Sequence, residues 1–234
     1  MMFNAKRDFL HGIPPVTKNL IIINLLCWLA SITLPSILRN SIGEPIDISY
    51  WLGLHYIQAP DFRPYQMVTY MFMHAGFTHL FFNMFAVYMF GRIVESTWGP
   101  KRFLIFYTIT GIGAAIVQQI TWFMAFGTSL SEIAALGNLL NGMITIGASG
   151  AVFGILLAFA MLYPNAPLFL MFIPVPIKAK YMMIIYGIIE LTSGVYNSAS
   201  DNVAHFAHLG GMLFGYFLVR YWKQKDNQNG RFFF

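Results

Sequence analysis

The chain has 234 residues, of which 57% are hydrophobic and only 10% charged, and its mean hydropathy is +0.61. This balance excludes an ordinary soluble domain and indicates a membrane protein with several spanning helices. The net charge of +5 does not indicate nucleic-acid binding, because the basic residues are dispersed between apolar runs. Cys27 is the only cysteine, which excludes an internal disulfide and a cysteine-based metal site.

In chain order, hydropathy predicts six membrane-spanning helices, numbered here as spans one to six. They cover residues 19–38, 78–96, 103–126, 143–163, 179–196 and 203–222. Polar residues and a proline interrupt span one and no small-residue cleavage signature follows it, which favours a retained helix over a signal peptide. Residues 19–222 are thus predicted as one membrane domain. Residues 1–18 and 223–234 are predicted as segments outside the membrane, the second disordered apart from its last three aromatic residues.

The distribution of lysine and arginine predicts how these spans are oriented. Six spans leave both termini on one side, and only Arg39 and Arg63 of the 14 basic residues then fall on the other. Because excess positive charge marks the cytoplasmic side, both termini are predicted in the cytoplasm and the loops 39–75 and 127–142 outside. Within the first outer loop, SYWLGLHYIQ (49–58) is either an amphipathic segment in the membrane interface or a solvent loop with incidental aromatic residues.

Polar side chains inside the predicted spans are functional candidates, because burying them in lipid is costly. Span two contains His79 and Asn83, span four contains Ser149, and span six contains His205 and His208. Counted from the cytoplasmic ends of their spans, His79, Ser149 and His208 lie at depths of about 18–22 Å at the helical rise. The three spans are therefore expected to present polar groups at one level, roughly 10 Å below the outer boundary.

A lone serine in a spanning helix is most often a packing residue that bonds its own backbone. Ser149 differs because it lies at the depth of two histidines and an asparagine, next to a stripe of small residues. Members of this stripe recur every four positions, at Gly150, Gly154 and Ala158. In span six, Gly211 and Gly215 follow His208 on the same helical face. Two smooth faces predict a close crossing of spans four and six, which would bring Ser149 to His208 as a nucleophile to its general base.

Groups that could stabilise a tetrahedral oxyanion are predicted near the same level. Gly147 and Gly150 leave backbone N–H groups uncovered at the start of a helix, where the dipole favours negative charge. His79 and Asn83 are four residues apart and share a helical face. Phe153, one turn into span four, is positioned to hold an imidazole by ring packing.

Span six offers no Asp or Glu at the depth of His208, so the sequence supports a serine–histidine dyad and not a complete triad. Glu190 in span five is left open between the outer mouth and the depth of the dyad. A zinc site at His205 and His208 is not expected, because the pair lacks acidic or cysteine partners. The sequence predicts no metal and no cofactor.

Three motifs carry a family resemblance: HLFFN (79–83), GASG (147–150) and AHLGGMLFG (207–215), in this order on spans two, four and six. In this combination the chain resembles the rhomboid intramembrane serine proteases of bacterial type, from about Arg63 to Tyr216. The resemblance implies an all-α bundle of six transmembrane helices. It also implies that the short fourth helix starts inside the membrane, at the bottom of a water-filled cavity open to the outside.

The resemblance implies a role for each motif residue. Ser149 is similar to the family's nucleophile and His208 to its general base. His79 and Asn83 match positions that form the oxyanion hole with the Ser149 N–H. The glycines that match the family's packing positions on the sixth helix are Gly211 and Gly215. Two departures are visible: Tyr65-Gln66 stands where many members have Trp-Arg, and Phe153 occupies a position that is often tyrosine.

The expected function is an endopeptidase of a bacterial cytoplasmic membrane, which cleaves peptide bonds in or next to transmembrane segments of other proteins through an acyl-enzyme. One alternative is a non-catalytic rhomboid-like protein that binds membrane clients, against which the intact Ser149 and His208 argue. A transporter or channel is the other, and the apolar residues of the inner half of spans four and six argue against it. The expected partners are transmembrane substrates and the bilayer, with no nucleic acid. The oligomeric state is not predicted.

Overall fold

The computed structural model describes residues 12–39, 43–126, 137, 140–169, 175–196 and 204–230. Within these ranges the α-helices are α1 Pro15–Ile37, α2 Ile48–Leu52, α3 Gln66–Thr69, α4 Phe77–Ala86, α5 Arg92–Trp98, α6 Pro100–Phe126, α7 Ser149–Leu162, α8 Ala179–Val195 and α9 His205–Gln228. A π-helical turn, Val87–Gly91, joins α4 to α5. A 3-10 turn, Tyr70–Phe72, follows α3. The described residues also form two short antiparallel pairs: β1 Leu54–His55 with β2 Ile144–Thr145, and β3 Pro167–Leu168 with β4 Ile177–Lys178.

The predicted all-α membrane protein is confirmed. Pro15–Ile37, Phe77–Trp98 and Pro100–Ala125 are each long and apolar enough to cross a membrane, and Ser149–Leu162 is a shorter apolar helix. The count of six spans stays a prediction, as does the division into terminal segments and membrane domain. Much of the predicted outer loop 127–142 lies outside the described residues.

Two boundaries differ from the sequence prediction for physical reasons. Span four was expected to begin at 143, but Ile144–Thr145 pair with β1 and the helix begins only at Ser149. The expected disorder after 222 is wrong for the next six residues, because α9 continues to Gln228. Asp226 near its end accepts two hydrogen bonds from the Arg102 guanidinium, at 2.6 and 2.7 Å, which ties this end of α9 to α6.

The helix α7 is wedged between α6 and α9, and glycines permit both contacts. A Cβ atom on Gly150 would lie 2.4 Å from the Ala114 Cβ of α6, and one on Gly154 would lie 2.8 Å from Thr110. On the other side, a Cβ on Gly211 of α9 would lie 1.8 Å from the Gly150 carbonyl oxygen. The stripe expected to face α9 therefore contacts α6 as well.

The long helix α1 lies at the edge of the bundle. Few of its side chains are buried, and Leu26 is 58% exposed, as expected of a helix that faces lipid. Its N-terminus is anchored from α5, because the buried Glu95 carboxylate accepts hydrogen bonds from the backbone N–H groups of Val16 and Thr17, at 2.9 and 2.7 Å. These are N–H groups that a helix leaves unpaired in its first turn.

The segment between α1 and α4 is held by the buried side-chain amide of Gln66. Gln66 is fully buried, and its Nε2 donates to the carbonyl oxygens of Trp51 and Asp61 at 3.2 and 3.1 Å. Its Oε1 accepts from the Arg63 N–H at 3.0 Å. A neutral side chain therefore fixes this loop, and the loop presents β1 to β2 just ahead of α7.

Candidate active site

The strand β2, which leads into α7, pairs with β1 of the segment between α1 and α4. After β2 the chain reaches Gly147, whose φ of +132° is rarely adopted by residues with a side chain. The Gly147 N–H donates to the Tyr70 carbonyl at 2.9 Å, so this group is occupied and does not face a ligand. Two residues later the partly buried Ser149 opens the helix.

Ser149 and His208 are in hydrogen-bond contact. The distance between Ser149 Oγ and His208 Nε2 is 2.8 Å, and His208 is only 7% exposed. The Phe153 ring stacks on the imidazole with ring centroids 4.3 Å apart and planes inclined by 14°. A hydroxyl this close to an imidazole nitrogen, with the ring held from one face, is the arrangement of an activated nucleophile.

The close crossing of α7 and α9 sets this distance. At Gly211, one turn beyond His208, the added Cβ would overlap the Gly150 carbonyl group at 1.8 and 2.6 Å, so the two backbones touch. At Gly215 the contact is looser, since a Cβ would lie 3.4 Å from the Gly154 Cα and 3.2 Å from Phe106. The helices therefore meet most tightly at the end that carries Ser149 and His208.

His79 lies against the loop that precedes Ser149. A Cβ on Gly147 would lie 2.8 Å from His79 Nε2 and 3.6 Å from Ser149 Oγ, so the space beside this glycine is bounded by both side chains. The ring of His74 packs edge-on against His79 at a centroid distance of 5.0 Å. A side chain at Gly147 would clash with His79, so the imidazole packs directly against this glycine, close to Ser149, where a donor to an oxyanion would be needed.

The first turn of α7 adds backbone donors to this space. The first helical hydrogen bond runs from the Val152 N–H to the Ala148 carbonyl at 3.0 Å, so the N–H groups of Ser149 and Gly150 precede it. Within the described part of the chain no side chain caps this helix. Its positive dipole end therefore points toward the serine hydroxyl.

Asn83 is brought to the same helix face as His79, but its amide is turned inward. The Asn83 Nδ2 donates to the His79 carbonyl at 2.8 Å, within α4, and the residue is 6% exposed. An amide nitrogen has two hydrogens, so one remains for another acceptor. The structure thus brings together Ser149, His208, His79 and Gly147 directly, and Asn83 through its own helix.

Glu190 is the residue that the sequence left open, and it reaches the dyad. Its Oε2 lies 2.9 Å from His208 Nδ1 and 2.7 Å from His205 Nδ1, and the three side chains are buried. The inference that no carboxylate serves His208 considered span six alone, and it is wrong because the carboxylate comes from α8. An acidic residue inside a predicted span is a functional candidate. This rule indicates Glu190 from the sequence but does not identify its partner.

The same three residues offer ligand atoms for a metal ion. Their donor atoms all lie within 4.8 Å of one another. The argument against zinc rested on the lack of an acidic partner for His205 and His208, and Glu190 supplies that partner. The contacts at 2.7 and 2.9 Å are nevertheless those of hydrogen bonds, which already occupy the shared carboxylate oxygen.

Comparison with known proteins identifies the family. Residues 61–225, more than half of the chain, match the Rhomboid domain. The Arabidopsis thaliana Rhomboid-like protein 11, chloroplastic, is 30% identical over 74% of this chain and 61% of its own length. Rhomboid protease AarA of Providencia stuartii is 29% identical over 62% of this chain and 51% of its own length, and Rhomboid protease GluP of Bacillus subtilis 31% identical over 65% and 25%.

The chain thus spans less than two thirds of the length of each of these relatives. The matched region contains the HLFFN, GASG and AHLGGMLFG motifs together with the contacts between Ser149 and His208. The similar proteins include chloroplastic, mitochondrial and bacterial ones, so the comparison indicates an integral membrane protein without fixing the membrane. The chain belongs to the rhomboid family.

Proposed function

We propose that this protein is an intramembrane serine endopeptidase in which Ser149 is the nucleophile and His208 the general base. The observation that carries the proposal is the 2.8 Å contact between Ser149 Oγ and His208 Nε2 at the N-terminus of α7. Relatives named rhomboid proteases support protease activity at the level of the family. The stacking of Phe153 on His208 supports the same roles, because it limits rotation of the imidazole.

In the proposed reaction, Ser149 Oγ attacks the carbonyl carbon of the scissile peptide bond while its proton passes to His208 Nε2. The tetrahedral intermediate collapses when the C–N bond breaks and His208 returns that proton to the leaving amine. A water molecule, deprotonated by His208, then attacks the acyl-enzyme. The second tetrahedral intermediate collapses when the C–O bond to Ser149 breaks, and His208 returns the proton to Ser149 Oγ as the new carboxyl end leaves.

The negative oxygen of each intermediate needs donors that are in position beforehand. The position of the His79 ring against Gly147, close to Ser149 Oγ, supports that assignment, as do the N–H groups of the first turn of α7. Asn83 contributes by its remaining amide hydrogen and by fixing the turn that carries His79. Neither metal nor cofactor is needed for these steps.

The proposed substrates are transmembrane segments of other proteins that enter from the bilayer. Because Ser149 can reach only an extended backbone, we expect small or helix-destabilising residues near the cleaved bond. Both termini are proposed to lie in the cytoplasm and the site to open to the outside, in a bacterial cytoplasmic membrane. Reporter fusions at residue 234 and within 130–138 test this orientation, and the same compartment for both would contradict six spans.

The function is tested with purified protein reconstituted in liposomes together with a fluorescently labelled transmembrane substrate. Wild type should release a fragment at a rate proportional to enzyme, and Ser149→Ala should release none while keeping the wild-type melting temperature. Ser96→Ala, which removes a hydroxyl bonded to its own helix far from the site, is the matched control and should cleave normally. Binding of substrate by wild type without cleavage would instead support the non-catalytic client-binding alternative.

A further inference from the structure

We propose that Glu190, held in place by His205, is a positioning residue that extends the serine–histidine dyad to a serine–histidine–glutamate arrangement. This inference rests on the proposed function, since it assigns Glu190 a task only if His208 acts as the base. Three contacts carry it: Ser149 to His208 at 2.8 Å, and, between buried side chains, His208 to Glu190 at 2.9 Å and Glu190 to His205 at 2.7 Å.

The first effect of Glu190 is on the tautomer of His208. A carboxylate only accepts hydrogen bonds, so its contact with Nδ1 requires the proton on that nitrogen. The lone pair of the neutral ring is then on Nε2, which faces the Ser149 hydroxyl at 2.8 Å. The carboxylate thereby selects the only neutral form of His208 that can accept the serine proton.

The second effect is on the charge that appears during the reaction. When His208 takes the serine proton, its neutral ring becomes a positively charged imidazolium. Glu190 is 8% exposed and His208 7%, so the attraction between them is screened less than it would be in water. The carboxylate therefore favours the charged state of the ring more than the resting state, which is what lowers a barrier.

His205 forms a second hydrogen bond that holds the Glu190 carboxylate. Its Nδ1 contacts the same oxygen, Oε2, so Glu190 is held between imidazoles on successive turns of α9. One turn beyond Glu190, a Cβ on Gly194 would lie 2.9 Å from Phe206 and 3.3 Å from the His205 Cβ. The two helices are thus in close contact where the carboxylate crosses between them, and its position does not depend on a flexible side chain alone.

The test is steady-state cleavage by Glu190→Gln, Glu190→Asp and wild type, with kcat and KM determined separately. Glutamine keeps the size of the side chain and removes its charge, and its amide can donate to Nδ1 and select the wrong tautomer. We expect kcat to fall roughly 10²–10⁴-fold with KM within about threefold of wild type, because Glu190 acts on His208 and not on substrate. Glu190→Asp keeps the charge and should recover at least about tenfold of that loss.

Two further variants separate positioning from folding. Thr192→Val lies on the exposed side of α8, where the hydroxyl bonds only its own helix, and it should cleave as wild type does. His205→Gln removes one of the two groups that hold Glu190 and should lower kcat less than Glu190→Gln does. A chelator should leave wild-type cleavage unchanged. Activity lost on chelation and restored by Zn²⁺ would overturn the proposal in favour of a metal site in this cluster.

The outcomes distinguish this inference from the proposed function. If Ser149→Ala is inactive but Glu190→Gln keeps the wild-type kcat, the protease stands and the role of Glu190 is wrong. If Glu190→Gln and Glu190→Asp lose kcat equally and both melt well below wild type, Glu190 is structural and the proposal is wrong. If Ser149→Ala still cleaves, the proposed function fails first and this inference fails with it.

Discussion

The two walls of the candidate site are built differently. On one wall, α9 meets the backbone of α7 at Gly211, and Ser149 and His208 are joined at 2.8 Å. On the other, α4 places the His79 ring against Gly147, and Asn83 turns its amide back onto its own helix. The first wall is closed by a hydrogen bond between two helices, whereas the second is open at His79 Nε2, for which the described residues show no hydrogen bond.

This difference follows from what each wall would do in the proposed reaction. A proton can pass from hydroxyl to imidazole only across hydrogen-bond distance, so a resting contact is an advantage there. Donors for an oxyanion must instead be aimed at an atom that arrives with the substrate. A donor already paired with a protein group could not receive that atom, so it is informative that the hydrogen bond described for the His79 ring uses Nδ1 and not Nε2.

The largest expected effect breaks the closed wall. Ser149→Ala and His208→Ala should each lower kcat/KM by at least roughly 10⁴-fold, because a nucleophile and base in the proposed roles would act as a unit. The double variant should be no worse than either single one, as measured by cleavage of a labelled transmembrane substrate. Additive losses would mean that the two side chains act independently, despite their contact.

A smaller effect is expected on the open wall. His79→Ala should lower kcat by roughly 10²–10³-fold with the fold retained, because its ring borders the space in which the oxyanion would form. Asn83→Ala should cost less, roughly tenfold, because its amide already bonds the helix. Thr78→Ala, an exposed neighbour on the same helix, is the control. Wild-type rates for His79→Ala and Asn83→Ala would mean that neither side chain is a donor and that the backbone N–H groups suffice.

The crossing of α7 and α9 can be probed by a substitution that changes no polar side chain. Gly211→Ala would push a methyl group into the Gly150 carbonyl, so the helices must separate. We expect a loss of about 1–3 kcal/mol in stability and a loss on the order of 10²-fold in cleavage. Gly215→Ala, at the looser contact, should change both much less. Equal effects of the two variants would contradict a crossing that is tightest near Ser149.

The smallest effect on catalysis is expected from a substitution in the segment between α1 and α4. Gln66→Ala leaves buried carbonyl and N–H groups of the loop without their amide partner, and should lower the free energy of unfolding by about 1–3 kcal/mol. At a temperature well below the melting transition, kcat should stay within about threefold of wild type. Thermal melting and cleavage of the same preparation test both parts. A large loss of kcat at unchanged stability would give this loop a direct catalytic role.

Spacing along single helices was predicted from the sequence because it is a local property. His208 and Gly211 share a face of one helix, and His79 and Asn83 share a face of another, whatever the rest of the chain does. The family motifs located the candidate nucleophile and base for the same reason. The order and spacing of the motifs are read directly from the sequence and do not depend on how the helices are arranged.

The partners across helices were decided only by the tertiary structure. In a membrane bundle the surfaces that face lipid and those that face protein are both apolar, so periodicity does not say which face of α8 points inward. This is why the depth of Glu190 could be counted but its two imidazole contacts could not be foreseen. The contact of Gly154 with Thr110 follows the same rule, since it joins residues far apart in the chain whose distance is set by packing.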